Sequence, residues 1–288
     1  MASTAEPMRR KSYRGLWLHG FHRVDYSEWG DPDNPRVLFC VHGLTRNGRD
    51  FDALADALCR DYRVICPDVV GRGTSEWLVH KTDYGYPLYL ADMAALVARS
   101  GAESIDWVGT SMGGIIGMML AAQSGTPVRR LVLNDVGSQV PIAGLQRLAS
   151  YVGKPVAFAS VEEAERYFRT VHAEFGTLTD PQWRHMAVHG VRKWPDGKYR
   201  LLYDPAIAGM FAGPALGDID LSLIWNGVHC PTLLIRGAQS GLLLPHTVAL
   251  MRLAHPDLRV HEVPDCGHAP SLMPADQIAV VRDFLNGR

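Results

Sequence analysis

The run Gly109-Thr110-Ser111-Met112-Gly113-Gly114 decides how this chain is read. An apolar, strand-like segment, 104–108, leads into it, and an apolar, helix-like segment, 115–122, leads away. The backbone must therefore change from strand to helix within a few residues. Glycines on both sides of Ser111 allow that sharp turn and leave the serine oxygen standing above the sheet edge. A serine so placed is a candidate nucleophile. The next amide, that of Met112, falls at a helix N-terminus, where N–H groups and the dipole favour developing negative charge.

The rest of the chain sets bounds on this reading. Its 288 residues suit one large α/β domain or two small ones, and 47% apolar residues are enough for a sizeable core. With 29 basic and 30 acidic side chains the formal net charge is −1, so no global field points to nucleic acid or an anionic membrane. The five cysteines (Cys40, Cys59, Cys66, Cys230, Cys266) are odd in number, scattered and without Cys-x-x-Cys spacing. That pattern predicts reduced thiols in a cytoplasmic protein rather than a disulfide framework. The basic patch Arg9-Arg10-Lys11 is followed by no apolar run, which argues against a secretory signal. No stretch approaches the roughly 20 apolar residues of a spanning helix. Nothing specifies an oligomeric state.

Strand-like runs recur at 37–41, 63–66, 104–108, 131–133, 232–235 and 259–263, several of them continuous Val, Ile and Leu. Continuous apolar runs suit strands buried on both faces. Helix-like segments alternate with them at 50–58, 88–99, 112–123, 245–254 and 276–285. The alternation predicts an α/β fold with a mostly parallel sheet and helices on both faces. Residues 21–29 alternate apolar and polar and read as an antiparallel edge. Between about 138 and 227 the pattern breaks into helical segments at 142–151, 161–175 and 181–191, rich in aromatics. Strands resume afterwards, so this is a helical cap inserted into one core: 1–137 and 228–288 form the core, 138–227 the cap.

A serine nucleophile needs a base, an acid that orients the base, and an oxyanion hole. His268, in Asp265-Cys266-Gly267-His268-Ala269-Pro270, lies just past the last strand and is the candidate base. The turn Val41-His42-Gly43-Leu44 ends the first central strand and can aim the Leu44 amide at the serine, completing a two-amide hole with Met112.

In this order, the pieces resemble the α/β-hydrolase superfamily, over about residues 26–284. The resemblance rests on His42-Gly43, Asp68-Val69-Val70-Gly71-Arg72-Gly73-Thr74-Ser75, the Gly109 to Gly113 elbow, Asn134-Asp135-Val136-Gly137 and Gly267-His268. It implies an eight-stranded sheet with a cap over the site. In most relatives the triad acid is an aspartate in a Gly-x-x-Ser-Asp context after the strand that follows the cap. Here that loop reads Arg236-Gly237-Ala238-Gln239-Ser240-Gly241, and Gly241 stands where the aspartate is expected. A glycine cannot orient an imidazole.

The favoured substitute is Asp135, after the strand 131–133. The resemblance places this strand beside both the elbow strand and the strand before Gly241, and neighbouring strands lie only about 4.8 Å apart. The order Ser111, Asp135, His268 keeps the chain order of the fold. Asp265, a cap carboxylate such as Asp218 or Asp220, or no acid at all are the alternatives.

Other features read as structural. His42 before Gly43, and Asp68 with the Gly71-Arg72-Gly73 turn, shape loops and carry no proton; Cys266 is a buried spectator. His185 and His189 stand four residues apart on a predicted helix, half of a metal site. No glutamate follows His185 and no third ligand is evident in the sequence, so no metal is expected, nor any cofactor. About a third of the cap aromatics (Tyr151, Phe158, Tyr167, Phe168, Trp183, Trp194, Tyr203, Phe211, Trp225) are expected to face substrate.

Ser111 speaks against reactions that need aspartate at the elbow, namely dehalogenation and epoxide hydrolysis. Enzymes that hydrolyse carbon–carbon bonds of ring-cleavage products resemble the chain at Ser-Met-Gly-Gly, but they usually carry a tryptophan soon after the histidine, where this chain has Ala269-Pro270-Ser271-Leu272. The expected function is hydrolysis of a small-to-medium apolar carboxylic ester through an acyl-enzyme. A silent ligand-binding protein on the same fold is the alternative that the missing aspartate favours.

Overall fold

The computed structural model describes residues 8–211, 213 and 217–288. Eight strands form the main sheet: β1 (Arg9–Trp17), β2 (Gly20–Trp29), β3 (Val37–Val41), β4 (Arg63–Pro67), β5 (Ile105–Thr110), β6 (Val128–Asn134), β7 (Thr232–Gly237) and β8 (Arg259–Val263). Their spatial order is β1-β2-β4-β3-β5-β6-β7-β8. β2 runs antiparallel to both its neighbours, and all other pairs are parallel.

Helices α1 (Asp52–Leu58), α2 (Tyr86–Ser100) and α3 (Met112–Ala121) follow β3, β4 and β5. Four more lie between β6 and β7: α4 (Ile142–Ala149), α5 (Val161–Val171), α6 (Asp180–Gly190) and the short α7 (Ser222–Asn226). Finally α8 (Pro245–Ala254) follows β7 and α9 (Ala275–Leu285) follows β8.

Strand β3 shows why the sheet is covered twice. All five of its residues are buried. Val37, Phe39 and Val41 join one core with Leu88 of α2, Ile116 of α3 and Met251 of α8. Leu38 and Cys40 join a second core with Leu54 and Leu58 of α1 and Phe284 of α9. Alternate side chains of a strand point to opposite faces, so a strand without polar residues requires helices on both.

One expectation is corrected at the sheet edge. Residues 21–29 do run antiparallel, but β1 covers them through a ladder from Arg9 opposite Glu28 to Trp17 opposite Gly20. Only Tyr13 and Gly15 of β1 are buried, so its apolar signal is faint. The basic patch there is not a free charge cluster: Lys11 Nζ lies 2.7 Å from the buried Glu28 carboxylate, which Arg63 also grips at 2.8 Å.

The helical cap has a core of its own, built from Phe158, Phe168, Trp183 and Met186. It also carries an antiparallel pair, Val191–Lys193 with Tyr199–Leu201, absent from the purely helical reading. The bond from the Gly73 amide to the Leu202 carbonyl (2.8 Å) and that from the Asp204 amide to the Gly71 carbonyl (2.7 Å) tie the cap to the core. Among the described residues no helix is long and apolar enough to cross a membrane.

Candidate active site

Ser111 sits between β5 and α3 with φ 52° and ψ −114°. A non-glycine residue at positive φ is strained and persists only where its surroundings hold it. Here the Ser111 amide donates to the Asn134 carbonyl at 2.9 Å. The flanking glycines are required by contact: a Cβ on Gly109 would lie 2.3 Å from the Gly113 carbonyl oxygen, and one on Gly113 would lie 2.0 Å from that of Val41. The corner closes only because neither has a side chain.

Ser111 Oγ lies 2.9 Å from His268 Nε2, and His268 Nδ1 lies 2.8 Å from Asp135 Oδ2. An ionised carboxylate only accepts. The proton of a neutral His268 is therefore on Nδ1, and Nε2 is left to accept from the serine. Asp135 follows β6 directly, in the seam between β5 and β7, and is fully buried. It also accepts from the Gly237 amide at 2.8 Å and from Ser240 Oγ at 2.5 Å. Ser240 Oγ in turn accepts from the amides of Leu242 and Leu243, so its single proton is committed to the carboxylate.

Of the alternative acids, none approaches the imidazole. Asp265 is exposed in a left-handed turn. Asp218 accepts from the Ile142 amide and Asp220 from the Ser222 amide, both elsewhere in the cap. Gly241 borders the cavity, with nothing within 4 Å of where its Cβ would stand.

The two amides of the candidate oxyanion hole come from separate loops. Met112 is the first residue of α3, where an amide has no acceptor within its own helix. Leu44 lies in the loop after β3, and its amide donates to no other backbone carbonyl among the described residues. Buried Arg72 fixes that loop by donating through Nε to the Leu44 carbonyl at 2.9 Å, while its Nη1 donates to the Val70 carbonyl and the Tyr89 hydroxyl. His42 accepts from the Val69 amide and donates to the Gly43 carbonyl, and burial pushes it down to about 4. It is a neutral bracket between two loops.

A cavity of about 290 Å³ opens over Ser111. Its walls include Leu44, Phe51, Leu148, Met186 and Met273, with Arg46 and Arg147 among the few charged groups. Arg46 is locked to Asp50 by two bonds, at 2.6 and 2.8 Å. Arg147 pairs with Glu174 near the cavity wall. His172, buried beside Arg46 and Arg147, is held well below its usual range, first by burial and then by those charges. The expectation for the cap aromatics was too generous. Of the nine, only Tyr151 lines this cavity. Phe158, Phe168 and Trp183 pack the cap core, while Tyr203 and Trp225 pack the main one.

Three residues hold the site in roles that the sequence did not assign to them. Ser240 orders Asp135. Asn134 donates to Thr110 Oγ1 and to the Pro270 carbonyl at 2.7 Å, tying the elbow to the histidine loop. Glu174 of the cap holds the same loop from above, its carbonyl accepting from the Gly267 amide at 2.8 Å and its carboxylate from the His268 amide at 3.3 Å. Cys266 beside it donates to the Glu174 carbonyl, and burial pushes its thiol up to about 12.

The two cap histidines have a neighbour from the core. Asp52, which the sequence did not place there, brings its carboxylate within 4.8 Å of the ring nitrogens of His185 and His189.

Residues 36–273 match the family model of the alpha/beta hydrolase fold. The chain is 48% identical over 276 residues to a 3-hydroxybutyrate-oligomer hydrolase of Cupriavidus necator, covering 93% of this chain and 94% of that protein. It is 31% identical over 273 residues to an esterase of Mycobacterium tuberculosis, covering 90% and 85%. The crystal structure of an alpha/beta hydrolase from Novosphingobium aromaticivorans superposes with a TM-score of 0.86 at 32% identity, over 99% of each chain.

Proposed function

The chain belongs to the α/β hydrolase fold family, and from that premise we propose that it hydrolyses carboxylic esters through an acyl-enzyme on Ser111. The observation that carries the proposal is the unbroken hydrogen-bond chain Asp135–His268–Ser111 at the floor of the cavity. His268 Nε2 takes the serine proton as Oγ attacks the ester carbonyl. Asp135 keeps the other ring nitrogen protonated and stabilises the imidazolium. The amides of Leu44 and Met112 receive the oxyanion. The protonated histidine then hands its proton to the leaving alcohol, and the same base activates water to release the acid. Every proton is carried by a side chain, so the cycle needs no cofactor.

The preferred substrates are short esters of hydroxy acids. The relative at 48% identity acts, by its name, on 3-hydroxybutyrate oligomers. Such a substrate is largely apolar and ends in a carboxylate, which suits a mainly apolar cavity with Arg147 in its wall. Residues 138–227 form the lid and 1–137 with 228–288 the catalytic core. The five free thiols support a reducing, cytoplasmic setting.

The test pairs turnover with labelling. 3-Hydroxybutyrate dimers and trimers, and p-nitrophenyl butyrate, should be hydrolysed, and a fluorophosphonate should label Ser111 stoichiometrically. Ser111→Ala should abolish both. Hydrolysis retained by Ser111→Ala refutes the mechanism. Folded wild-type protein that neither labels nor turns over would instead be a binding module.

A further inference from the structure

We infer that Asp52, His185 and His189 form a binding site for a zinc-like divalent cation that staples the cap to the core. His185 and His189 project from one face of α6, four residues apart, with ring centroids 4.5 Å from each other. Asp52 opens α1 on the core side, with its Oδ2 3.5 Å from His185 Nε2. One ligand atom from each residue lies within 4.8 Å of the others, and all three residues are partly exposed. A hydrated ion can therefore reach the site and keep one or more of its waters.

The chemistry selects the ion. Two imidazoles and one carboxylate suit zinc and the late first-row dications, whereas calcium and magnesium demand more oxygen. Tetrahedral bonds of about 2.1 Å bring donor atoms to about 3.4 Å from one another, so small side-chain rotations complete the set. The ion replaces two present contacts. His185 Nε2 now donates to the Arg49 carbonyl at 2.8 Å, and the Arg49 guanidinium grips the Asp52 carboxylate from Nε at 2.8 and 2.9 Å. Arg49 is thus the cation with which a metal competes.

The location gives the site a consequence. Met186, between the two histidines, lines the cavity, and so do Asp50 and Phe51, just before Asp52. The Asn47 amide already holds the His189 carbonyl at 2.9 Å across the same seam. An ion bound here fixes two facing walls of the cavity to each other without touching Ser111 or His268.

Calorimetric titration of the full chain with zinc chloride tests this without any ester substrate, so its outcome is independent of the proposed hydrolysis. Wild type should bind one ion at this site, with a rise in Tm. Loss of an outer hydrogen bond to a metal ligand costs roughly 10–100-fold in affinity, so His185→Ala, His189→Ala and Asp52→Asn should each weaken binding at least as much. Arg49→Gln keeps all three ligands and should bind zinc more tightly than wild type. An unchanged isotherm in a His185→Ala/His189→Ala double variant assigns any bound zinc to other groups and overturns the inference. Absence of binding in both wild type and Arg49→Gln overturns it equally.

Discussion

Replacing Asp135 by asparagine changes one atom and should disable the site. The carboxylate accepts three bonds, from the Gly237 amide on Oδ1 and from Ser240 and His268 on Oδ2. An asparagine can keep its oxygen on the Gly237 amide, but its NH2 then faces His268 Nδ1 and Ser240. The imidazole must turn Nδ1 into an acceptor, which moves its proton to Nε2. Nε2 then faces Ser111 as a donor and no longer serves as a base. The Ser240 hydroxyl, already accepting two amides, loses the acceptor for its own proton. The opposite amide orientation sets NH2 against the Gly237 N–H. The first orientation forfeits the working tautomer, the second sets donor against donor in a buried site, and both lose the negative charge that stabilises the imidazolium, so the expected loss in kcat is roughly 10³–10⁴-fold. At 1.36 kcal/mol per decade this is about 4–5.5 kcal/mol of transition-state stabilisation. The assay is kcat on p-nitrophenyl butyrate, with the fluorophosphonate labelling rate as a substrate-independent readout and circular dichroism to establish folding. KM should change little, because the carboxylate does not face the cavity. Asp265→Asn, at an exposed carboxylate, should be silent. A folded Asp135→Asn variant within tenfold of wild type in both rates refutes the assignment of the acid.

Three further outcomes follow from the same geometry. Ser240→Ala removes a hydrogen bond to a charged acceptor, worth about 1.5–3 kcal/mol, so kcat should fall about 10–100-fold; full activity would show that Gly237 and His268 suffice to hold Asp135. Gly113→Ala would put a Cβ 2.0 Å from the Val41 carbonyl oxygen, and overpacking against backbone should cost at least the roughly 1–3 kcal/mol of a strained core; an unchanged urea midpoint would contradict the close approach. His42 is neutral in the folded state down to about 4 but protonates near 6.5 when unfolded. The unfolded chain thus binds more protons below pH 6.5, and stability is lost as pH falls from there, by about 2 kcal/mol at pH 5. Buried His172 adds to the same slope. Urea unfolding at pH 7 and pH 5 measures it, and a His42→Gln variant with an equally steep dependence would remove His42 as the cause.

Strand β3, the elbow around Ser111 and the histidine loop were legible in the sequence because each is a local statement. A run of five apolar residues demands two covered faces. A serine flanked by glycines at a strand-to-helix boundary leaves the backbone few other paths. A Gly-His step just past the last strand announces a loop end. β1 escaped notice because burial at Tyr13 and Gly15 alone is too sparse a pattern, and its partner strand supplies the reason for its charges. The aromatic residues of the cap were overread for a related reason: a large apolar side chain looks the same in sequence whether it faces a ligand or its own helix pair.

Tertiary structure decided the supporting contacts. Gly241 has no carboxylate, and the sequence favoured Asp135 only through the family resemblance; its approach to His268 depends on β6 lying between β5 and β7. That adjacency is a long-range hydrogen-bonding pattern with no trace in local periodicity. Ser240, Asn134 and Glu174 act by reaching across loops 93 to 136 positions apart in sequence. Likewise Asp52 and His185 are 133 residues apart (185 minus 52) and meet only where the cap settles on the core. The sequence determined the fold and named the serine and the histidine, because backbone turns and burial are written in neighbouring residues. Asp135 was favoured through the family resemblance, whereas Ser240, Asn134 and Glu174 took their roles only when strands and loops came together, because contact between distant residues is a property of packing.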